Sequence, residues 1–569
     1  MSELAARVAR VLAGPDGEGA GPIRVLLDAL ELASGPLEPA VAWAAGLLVR
    51  TLEAGGTCLV LSDLADIARA RGLPEDLARL DTAGWRARLA GPSVGDGSEV
   101  PVRPLALVGE RLYFDRYARM EARLAAALTA PVGSDPFWSR VAEVAHDDVV
   151  ARVASSLATR RVHLLSGGPG TGKTTSVAAL LDAIERAHGP SGLDGVALVA
   201  PTGKAAERLA LVLAPATIVD RPRTLHSLLG VGPEHPHRRE RAALEVRLVI
   251  CDETSMVDVA LLDELLAALG PECRLLLVGD PDQLQSVELG SVMGDLVAAP
   301  ALTRTTLRGV RRVEGASARA RETLLALFDD VREGRASAVL ESLRARGPGV
   351  ELVALEDGAV PALAPVLDEG LARALTLRRL ARGELDRTRL TAVLESVMVL
   401  CAQHEGPLGR RWWVERVAER LELRPGPVPE VGTPVLVTRS DRAIGVVNGD
   451  TGLVVEHARG PVLRRHGGDA QDVPVATLAH WQPWWAMTIH KAQGSEFDHV
   501  VVVIPPGSRL VSRELLYTAL TRARARVSVV ARPADVLEAV ARPVRRSTGL
   551  TASITEAAAR RIEAGALAQ

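Results

Sequence analysis

The sequence predicts an α/β protein with two units of parallel sheet, a small all-β insert in the second unit and a mainly helical domain ahead of both. Three observations carry that reading. From about residue 145 onward, short apolar runs alternate with amphipathic helices, the rhythm that builds parallel sheets with ligands at the carboxyl ends of the strands. Several of those runs end directly in polar motifs. The chain also holds only three lysines, Lys173, Lys204 and Lys491, against 64 arginines, and each lysine lies inside one of the motifs. Where Arg serves for any diffuse positive charge, the lysines that persist mark sites needing a compact ammonium.

Taken in order, residues 1–135 read as a separate domain: helical periodicity runs through Ile23–Leu32 and Arg116–Leu128, and Leu105–Phe114 alternates like a hairpin bent at Gly109. No catalytic constellation is visible there, which suits a partner-docking role. A first parallel-sheet unit spans 136–310. Val162–Leu165 is a strand feeding a Gly-rich turn, Thr174–Arg186 a helix, and Val196–Ala200, Leu248–Cys251 and Arg274–Val278 are buried-type strands. The second unit spans 311–545, with strands at Val397–Ala402, Val500–Ile504 and Val527–Val530. Residues 425–482 break its rhythm with Pro425, Pro427, Pro429 and Pro434, followed by short strands near Val435–Thr438 and Gly452–Glu456. Asn448, the only asparagine of the chain, precedes Gly449 there, and Asn-Gly predicts a tight hairpin turn at 448–449. The Arg- and Ala-rich tail, 546–569, is expected to be peripheral.

Bulk composition narrows the class. Hydrophobic content of 47% and charged content of 24% fit a globular protein of several domains. A net charge of −3 leaves any nucleic-acid contact to local basic surface, and 3% aromatic content leaves few platforms for stacking bases. Cys58, Cys251, Cys273 and Cys401 are scattered, without metal-ligand spacing, as reduced cytosolic thiols would be. Met1–Glu18 lacks an apolar signal core, and Ala40–Val49 stops at Arg50, too short to span a bilayer. A cytoplasmic enzyme is expected.

The motifs give the chemistry. Gly167-Gly168-Pro169-Gly170-Thr171-Gly172-Lys173-Thr174, followed by Thr175, sits between a predicted strand and a predicted helix, the context of a phosphate-binding loop. Its amides would wrap phosphates, Lys173 would reach the β/γ oxygens, and Thr174 would ligate magnesium. Leu248–Cys251 delivers Asp252 and Glu253: one carboxylate to hold Mg2+, a second to orient or deprotonate the attacking water. A further strand ends in Gly279-Asp280-Pro281-Asp282-Gln283, and the Gln283 amide could contact both γ-phosphate and water. ATP in a cleft between two sheets needs cations from the far side. Arg522 is the stronger candidate, and Arg311 is preferred over its neighbour Arg312.

With those residues in place, the chain resembles the superfamily 1 DNA helicases and, within them, the RecD family, alpha subunits of exodeoxyribonuclease V. The carrying segments are Ser166–Thr175, Ala200–Leu209, Thr224-Leu225-His226, Asp252–Met256, Gly279–Gln283, Asn448–Gly452, Trp485–His499 and Arg513–Arg524. Gly109–Tyr113 and Glu405–Gly409 extend the likeness beyond the motor. The resemblance implies two RecA-like P-loop domains, an SH3-like insert, ATP and Mg2+ as cofactors, single-stranded and duplex-end DNA as track, 5′-to-3′ travel, and RecB and RecC as partner subunits in double-strand break repair. By position, it puts Pro201, Thr202, Lys204, Thr224 and His226 along the strand. It gives Thr488, His490, Lys491, Gln493, Gly494, Ser495 and Glu496 the coupling of nucleotide state to grip. Thr224 and His226 could instead cap and pack a helix, the less favoured reading. Trp484 and Trp485 fit either burial in the insert or stacking under bases, burial being the simpler, and His235–Arg239 reads as a solvated basic loop.

Two departures stand out: residues 141–165 contain no glutamine to read adenine, and Val310 replaces the aromatic usual before the finger at Arg311. No nuclease site is expected, since no lysine follows a carboxylate pair. A stand-alone RecD-like helicase is the first alternative, disfavoured by the short 1–135 segment. The second is a structural subunit whose ATP site only locks assembly.

Overall fold

A computed structural model describes residues 3–13, 19–91, 93–96, 103–213, 220–231, 243–308, 317–355, 363–383, 387–423, 426–441, 443–466 and 471–567. Val310, Arg311, Arg312 and the basic loop 235–239 lie outside the described residues.

The N-terminal region packs helices, among them Ala20–Ser34 and Pro39–Glu53, around buried Trp43 and Trp85. A small sheet leans on them, built from β1 (Cys58–Val60), β2 (Val94–Gly95), β3 (Leu105–Val108) and β4 (Arg111–Phe114) in the order β1-β4-β3-β2. The expected hairpin is β3–β4. Val108 pairs with Arg111 across a Gly109-Glu110 turn, and Gly109, at φ 59°, takes the positive angle a II′ turn demands at its first central position.

The next sheet is wholly parallel, in the order β10-β5-β9-β8-β6-β7. Its strands are β5 (Val162–Gly167), β6 (Val196–Ala200), β7 (Arg223–Thr224), β8 (Leu248–Cys251), β9 (Arg274–Gly279) and β10 (Thr303–Leu307). Helices cover both faces, so the four central strands β5, β9, β8 and β6 are buried throughout and largely apolar. Leu275 and Leu277 point into one core with Leu124 and Leu262, while Leu276 and Val278 point into another with Leu180 and Trp138.

The second parallel sheet begins with β11 (Val350–Ala354) and β12 (Val397–Cys401). The chain then leaves it for an antiparallel sheet of β13 (Pro434–Val437), β14 (Thr451–Val455), β15 (Val462–Arg465), β16 (Val473–Pro474) and β17 (Trp481–Pro483). It returns as β18 (Ala486–Thr488), β19 (Phe497–Val503) and β20 (Ala523–Ala531), giving the order β11-β20-β19-β12-β18.

Two expectations are corrected. Asn448-Gly449 does not close a two-residue hairpin: β13 and β14 pair from Leu436 to Thr451, and a long loop joins them. Within it the Asp450 amide donates to the Val447 carbonyl (3.0 Å), so Asn448 and Gly449 are the central pair of a β-turn. Only Gly449 has positive φ (100°), the type II pattern rather than the hairpin type I′. The tail is not peripheral either. Leu550 and Ile554 of the Leu550–Leu567 helix are buried against the Asp115–Leu128 helix and the first sheet's core. Arg546 donates to the carbonyls of Ser286 (2.7 Å), Glu288 (2.8 Å) and Gly290 (2.7 Å). Terminal residues with an Arg- and Ala-rich composition read as solvated because their partners are far away in sequence.

Candidate active site between the two parallel sheets

The strand-to-helix turn at 167–173 shapes an anion cradle. Gly170 and Gly172 hold φ of 69° and 94°, and the Lys173–His188 helix starts at the lysine itself, presenting its free amides to the loop. The Thr171 hydroxyl donates to the Gly168 carbonyl (2.8 Å), tightening the turn. Lys173 Nζ donates to the carbonyls of Gly167 (2.7 Å) and Gly168 (2.9 Å), so its ammonium already lies inside the loop.

Asp252 and Glu253 leave the end of β8, one strand further across the sheet than β9. Glu253 sits at φ 52°, a left-handed angle that costs a non-glycine residue about 1–3 kcal/mol and recurs where function over-determines the backbone. Its amide donates to Asp252 Oδ1 (2.9 Å). Burial, followed by the neighbouring Glu253 charge, pushes the Asp252 carboxyl up to about 6, with Lys173 pulling the other way. From β9 come Asp280 and Gln283, both buried. Gln283 Nε2 donates to Asp280 Oδ2 (3.1 Å), which orients the amide and leaves its second N–H and its carbonyl oxygen for other partners.

The opposite wall belongs to the second sheet. Arg522, buried just ahead of β20, donates through Nε to the Thr518 carbonyl (3.1 Å) and through Nη1 to the Ser495 carbonyl (3.5 Å). Gly170, Lys173, Thr174, Asp252, Glu253, Gln283 and Arg522 all line one cleft of about 430 Å³. Lys173 and Arg522 thus face a common pocket from different sheets. Hydrogen bonds stitch the walls together beside it: Tyr517 Oη donates to Asp280 Oδ2 (3.3 Å), the Leu284 amide to Thr518 Oγ1 (2.7 Å), and Gln493 Nε2 to the Leu284 carbonyl (3.0 Å). Burial raises the Asp280 carboxyl, with Lys173 opposing, and raises Asp282 to about 6.

The residues assigned to the DNA strand divide. Pro201 and Thr202 follow β6, and Thr224 ends β7, whose register sets Ala200 beside Thr224, so they emerge at neighbouring strand ends. Thr202 Oγ1 accepts from the Ala205 amide (3.2 Å) and Thr224 Oγ1 from the Ser227 amide (3.1 Å), both as helix caps, while His226 is exposed. In the second sheet Thr488 stands beside Cys401, and His490 and Lys491 are exposed just beyond. Lys204, Gln493 and Ser495 instead turn inward. Lys204 lines the cleft with its ammonium 4.9 Å over the Trp484 ring. Burial pulls its pKa down to about 8, with Glu395 and Glu207 opposing. Trp484 and Trp485 are buried, in the main core of the second lobe rather than in the insert's own core.

Sequence reasoning missed Tyr517, Thr518 and Arg208. Tyr517 and Thr518 lie in the same segment as Arg522, but nothing local shows that they cross to β9. Arg208 pairs with Glu496 of the opposite wall. No signal separated it from 63 other arginines.

Three stretches of the chain match known protein families. Residues 147–351 match the family model described as an AAA domain, 483–530 a UvrD-like helicase C-terminal domain, and 26–113 the N-terminal domain of RecBCD enzyme subunit RecD. The chain is 39% identical over 546 residues to the RecBCD enzyme subunit RecD of Mycobacterium tuberculosis, covering 91% of this chain and 92% of that one. It is 32% identical to the ATP-dependent RecD2 DNA helicase of Deinococcus radiodurans, over 76% of this chain and 57% of that protein. Among solved structures, the Bacteroides Pif1 helicase in complex with ADP-AlF3 and ssDNA aligns at 18% identity and TM-score 0.39, covering 68% of this chain and 92% of Pif1. With a phosphate loop facing an arginine across two parallel sheets, and 39% identity along nine-tenths of its length to a RecD subunit, the chain belongs to the RecD family of ATP-dependent DNA helicases.

Proposed function

We propose that this chain is the 5′-to-3′ single-stranded DNA motor of a RecBCD-type helicase–nuclease, with RecB and RecC subunits as partners in double-strand break repair. The observation that carries it is the single cleft shared by Lys173, Asp252, Glu253, Gln283 and Arg522. The loop 167–175 fits ATP: its glycines adopt the open angles a phosphate cradle needs, and Lys173 already points into it. Thr174 and Asp252 offer hard oxygen donors on the same cleft, and two such donors suit Mg2+, which completes its shell with water and phosphate. Magnesium there supplies charge neutralisation at the transferring phosphoryl group.

The chain's own residues do the rest. Lys173 exchanges its bonds to the Gly167 and Gly168 carbonyls for phosphate oxygens, Glu253 orients and deprotonates the attacking water, and Gln283, held by Asp280, reads the γ-phosphate position. Arg522, with Arg311 as a second far-side cation, brings positive charge from the other lobe, so the site is complete only when the lobes are together. Pro201, Thr202, Thr224, His226, Thr488, His490 and Lys491 grip phosphates without reading bases, as a translocating motor requires.

Residues 1–135 act as the docking domain, 136–310 and 311–545 as the two motor domains with an SH3-like insert at about 425–482, and 546–569 as the tail. The subunit reading is preferred over a stand-alone RecD2-like helicase because identity to the Mycobacterium tuberculosis RecD subunit, 39% over 546 residues, exceeds that to the Deinococcus radiodurans RecD2 helicase, 32% over 447 residues. Four buried free thiols suit the cytoplasm, and among the described residues no helix is long and apolar enough to cross a membrane. The test is Lys173→Gln in the full-length chain: DNA-stimulated ATP hydrolysis is lost while the circular dichroism spectrum is unchanged. Hydrolysis persisting in that variant contradicts the site.

A further inference from the structure

Arg208 belongs to the Gly203–Leu213 helix, which begins immediately after the proposed DNA-contacting residues Pro201 and Thr202. Lys204 and Arg208 are one turn apart, and both line the nucleotide cleft, so this helix leads from the strand-facing edge of the first lobe into the ATP site. Its ion-pair partner Glu496 stands in the mirror position. It closes the segment that starts at Thr488, five residues beyond Lys491, and it too lines the cleft. Each member of the pair is therefore joined by a few residues of its own lobe to that lobe's proposed grip on DNA.

The two segments touch at a second place. A Cβ on Gly494 (φ 74°) would stand 3.5 Å from the Ala205 Cβ and 3.7 Å from the Ala205 amide nitrogen, so the backbones meet with no side chain between them. Charge favours the contact. Burial alone would loosen the proton on Arg208, but Glu496, and behind it Glu253 and Asp252, more than restore it. Burial would likewise raise Glu496, yet Arg208 and then Arg522 and Arg524 hold it down at about 2. Arg524 Nε lies 3.6 Å from Glu496 while its Nη1 bonds Glu395 at 2.7 Å, which anchors Glu496 to the second lobe's own framework.

We propose that Arg208 is a positioning residue for the helicase cycle: its inter-lobe ion pair with Glu496 is the contact through which strand binding and nucleotide binding strengthen one another. The proposal rests on the motor reading above. An element that both ligands bias is what energetic coupling requires, and such coupling is reciprocal between the two ligands. Lobe closure brings Arg208 to Glu496 and Arg522 to the phosphates in one movement. A strand held by both lobes therefore completes the ATP site, and nucleotide in the site tightens the hold on the strand.

The experiment measures the affinity of the full-length chain for a fluorescent, non-hydrolysable ATP analogue, with and without saturating oligo(dT). The ratio of the two affinities is the coupling. A wild-type ratio of tenfold or more is expected, with Arg208→Ala and Glu496→Gln each bringing it within about twofold of unity. The double variant should be no worse than either single one, and the exchange Arg208→Glu with Glu496→Arg should regain at least part of the coupling. A purely structural role would shift both affinities together and leave the ratio intact, which overturns the proposal. So does a double variant whose loss is the sum of the single ones. A wild-type chain that binds the analogue but no oligo(dT) fails the motor reading itself, and is distinguished by that missing strand affinity.

Discussion

Tyr517 shows how much of this site depends on single contacts between the lobes. Its hydroxyl reaches Asp280 of the other lobe, Asp280 holds the Gln283 amide, and a Cβ at Gly168 would come within 3.3 Å of the same hydroxyl. Tyr517→Phe keeps the ring and removes that bond. DNA-stimulated kcat should fall roughly tenfold, which corresponds to one hydrogen bond of about 1.4 kcal/mol, with the KM for ATP little changed. Steady-state hydrolysis measures it, and an unchanged kcat would remove Tyr517 from the mechanism. At this scale the sequence is legible where chemistry is local. The loop at 167–174 and the carboxylates ending β8 are recognisable because the turn and the strand impose a fixed spacing. Arg208 and Tyr517 are not, since each gains its meaning from a residue far along the chain.

Elements are legible in the sequence where burial dominates. All five strands named from apolar runs between residues 162 and 402 appear within a residue or two of their expected bounds, because a strand covered on both faces must be apolar throughout. β10 (Thr303–Leu307) and β7 are not legible: they flank the sheet, are short or rich in threonine, and carry little apolar signal. The Asn448-Gly449 turn was recognised as a turn and mistaken in type, because the dipeptide serves both patterns and only the register of β13 against β14 decides. Substitution separates the two types. In the observed turn Gly449→Ala forces φ near 100° on a side-chain residue and should destabilise the insert by about 1–2 kcal/mol. Asn448→Ala should stay within about 0.5 kcal/mol. Denaturant titration of the full chain, following Trp481, reads both. Comparable losses in the two variants would indicate the hairpin turn after all.

Across the whole molecule, the tail ties the N-terminal region to the first lobe. Glu121 is buried, accepting from Thr57 Oγ1 (2.5 Å), Tyr113 Oη (3.1 Å) and the Gly549 amide (3.3 Å), while Thr548 Oγ1 donates to Asp295 (2.8 Å). A Cβ at Gly549 would sit 1.7 Å from the Tyr113 hydroxyl, so Gly549→Ala should cost about 1–3 kcal/mol and loosen the tail, detected as earlier proteolytic release. Burial raises Asp295 from its ordinary 3.8 to about 7, and raises Glu121 as well. Between those values the folded protein binds more protons than the unfolded chain, so this junction weakens as pH rises from about 4 to about 7. Hydrogen exchange in the Leu550–Leu567 helix should be less protected at pH 8 than at pH 6, after correction for intrinsic rate, and Asp295→Asn should flatten the difference. Composition alone hid this strap: it is made of contacts hundreds of residues apart.

The central claim is that hydrolysis needs both lobes around one nucleotide, and Arg522→Ala tests it most directly, because that arginine reaches the cleft from the lobe without the phosphate loop. In the full-length chain with saturating single-stranded DNA, the variant's ATPase kcat should drop by about 10³-fold while oligo(dT) is still bound. Hydrolysis at the wild-type rate would show that the first lobe works alone, and would contradict the account.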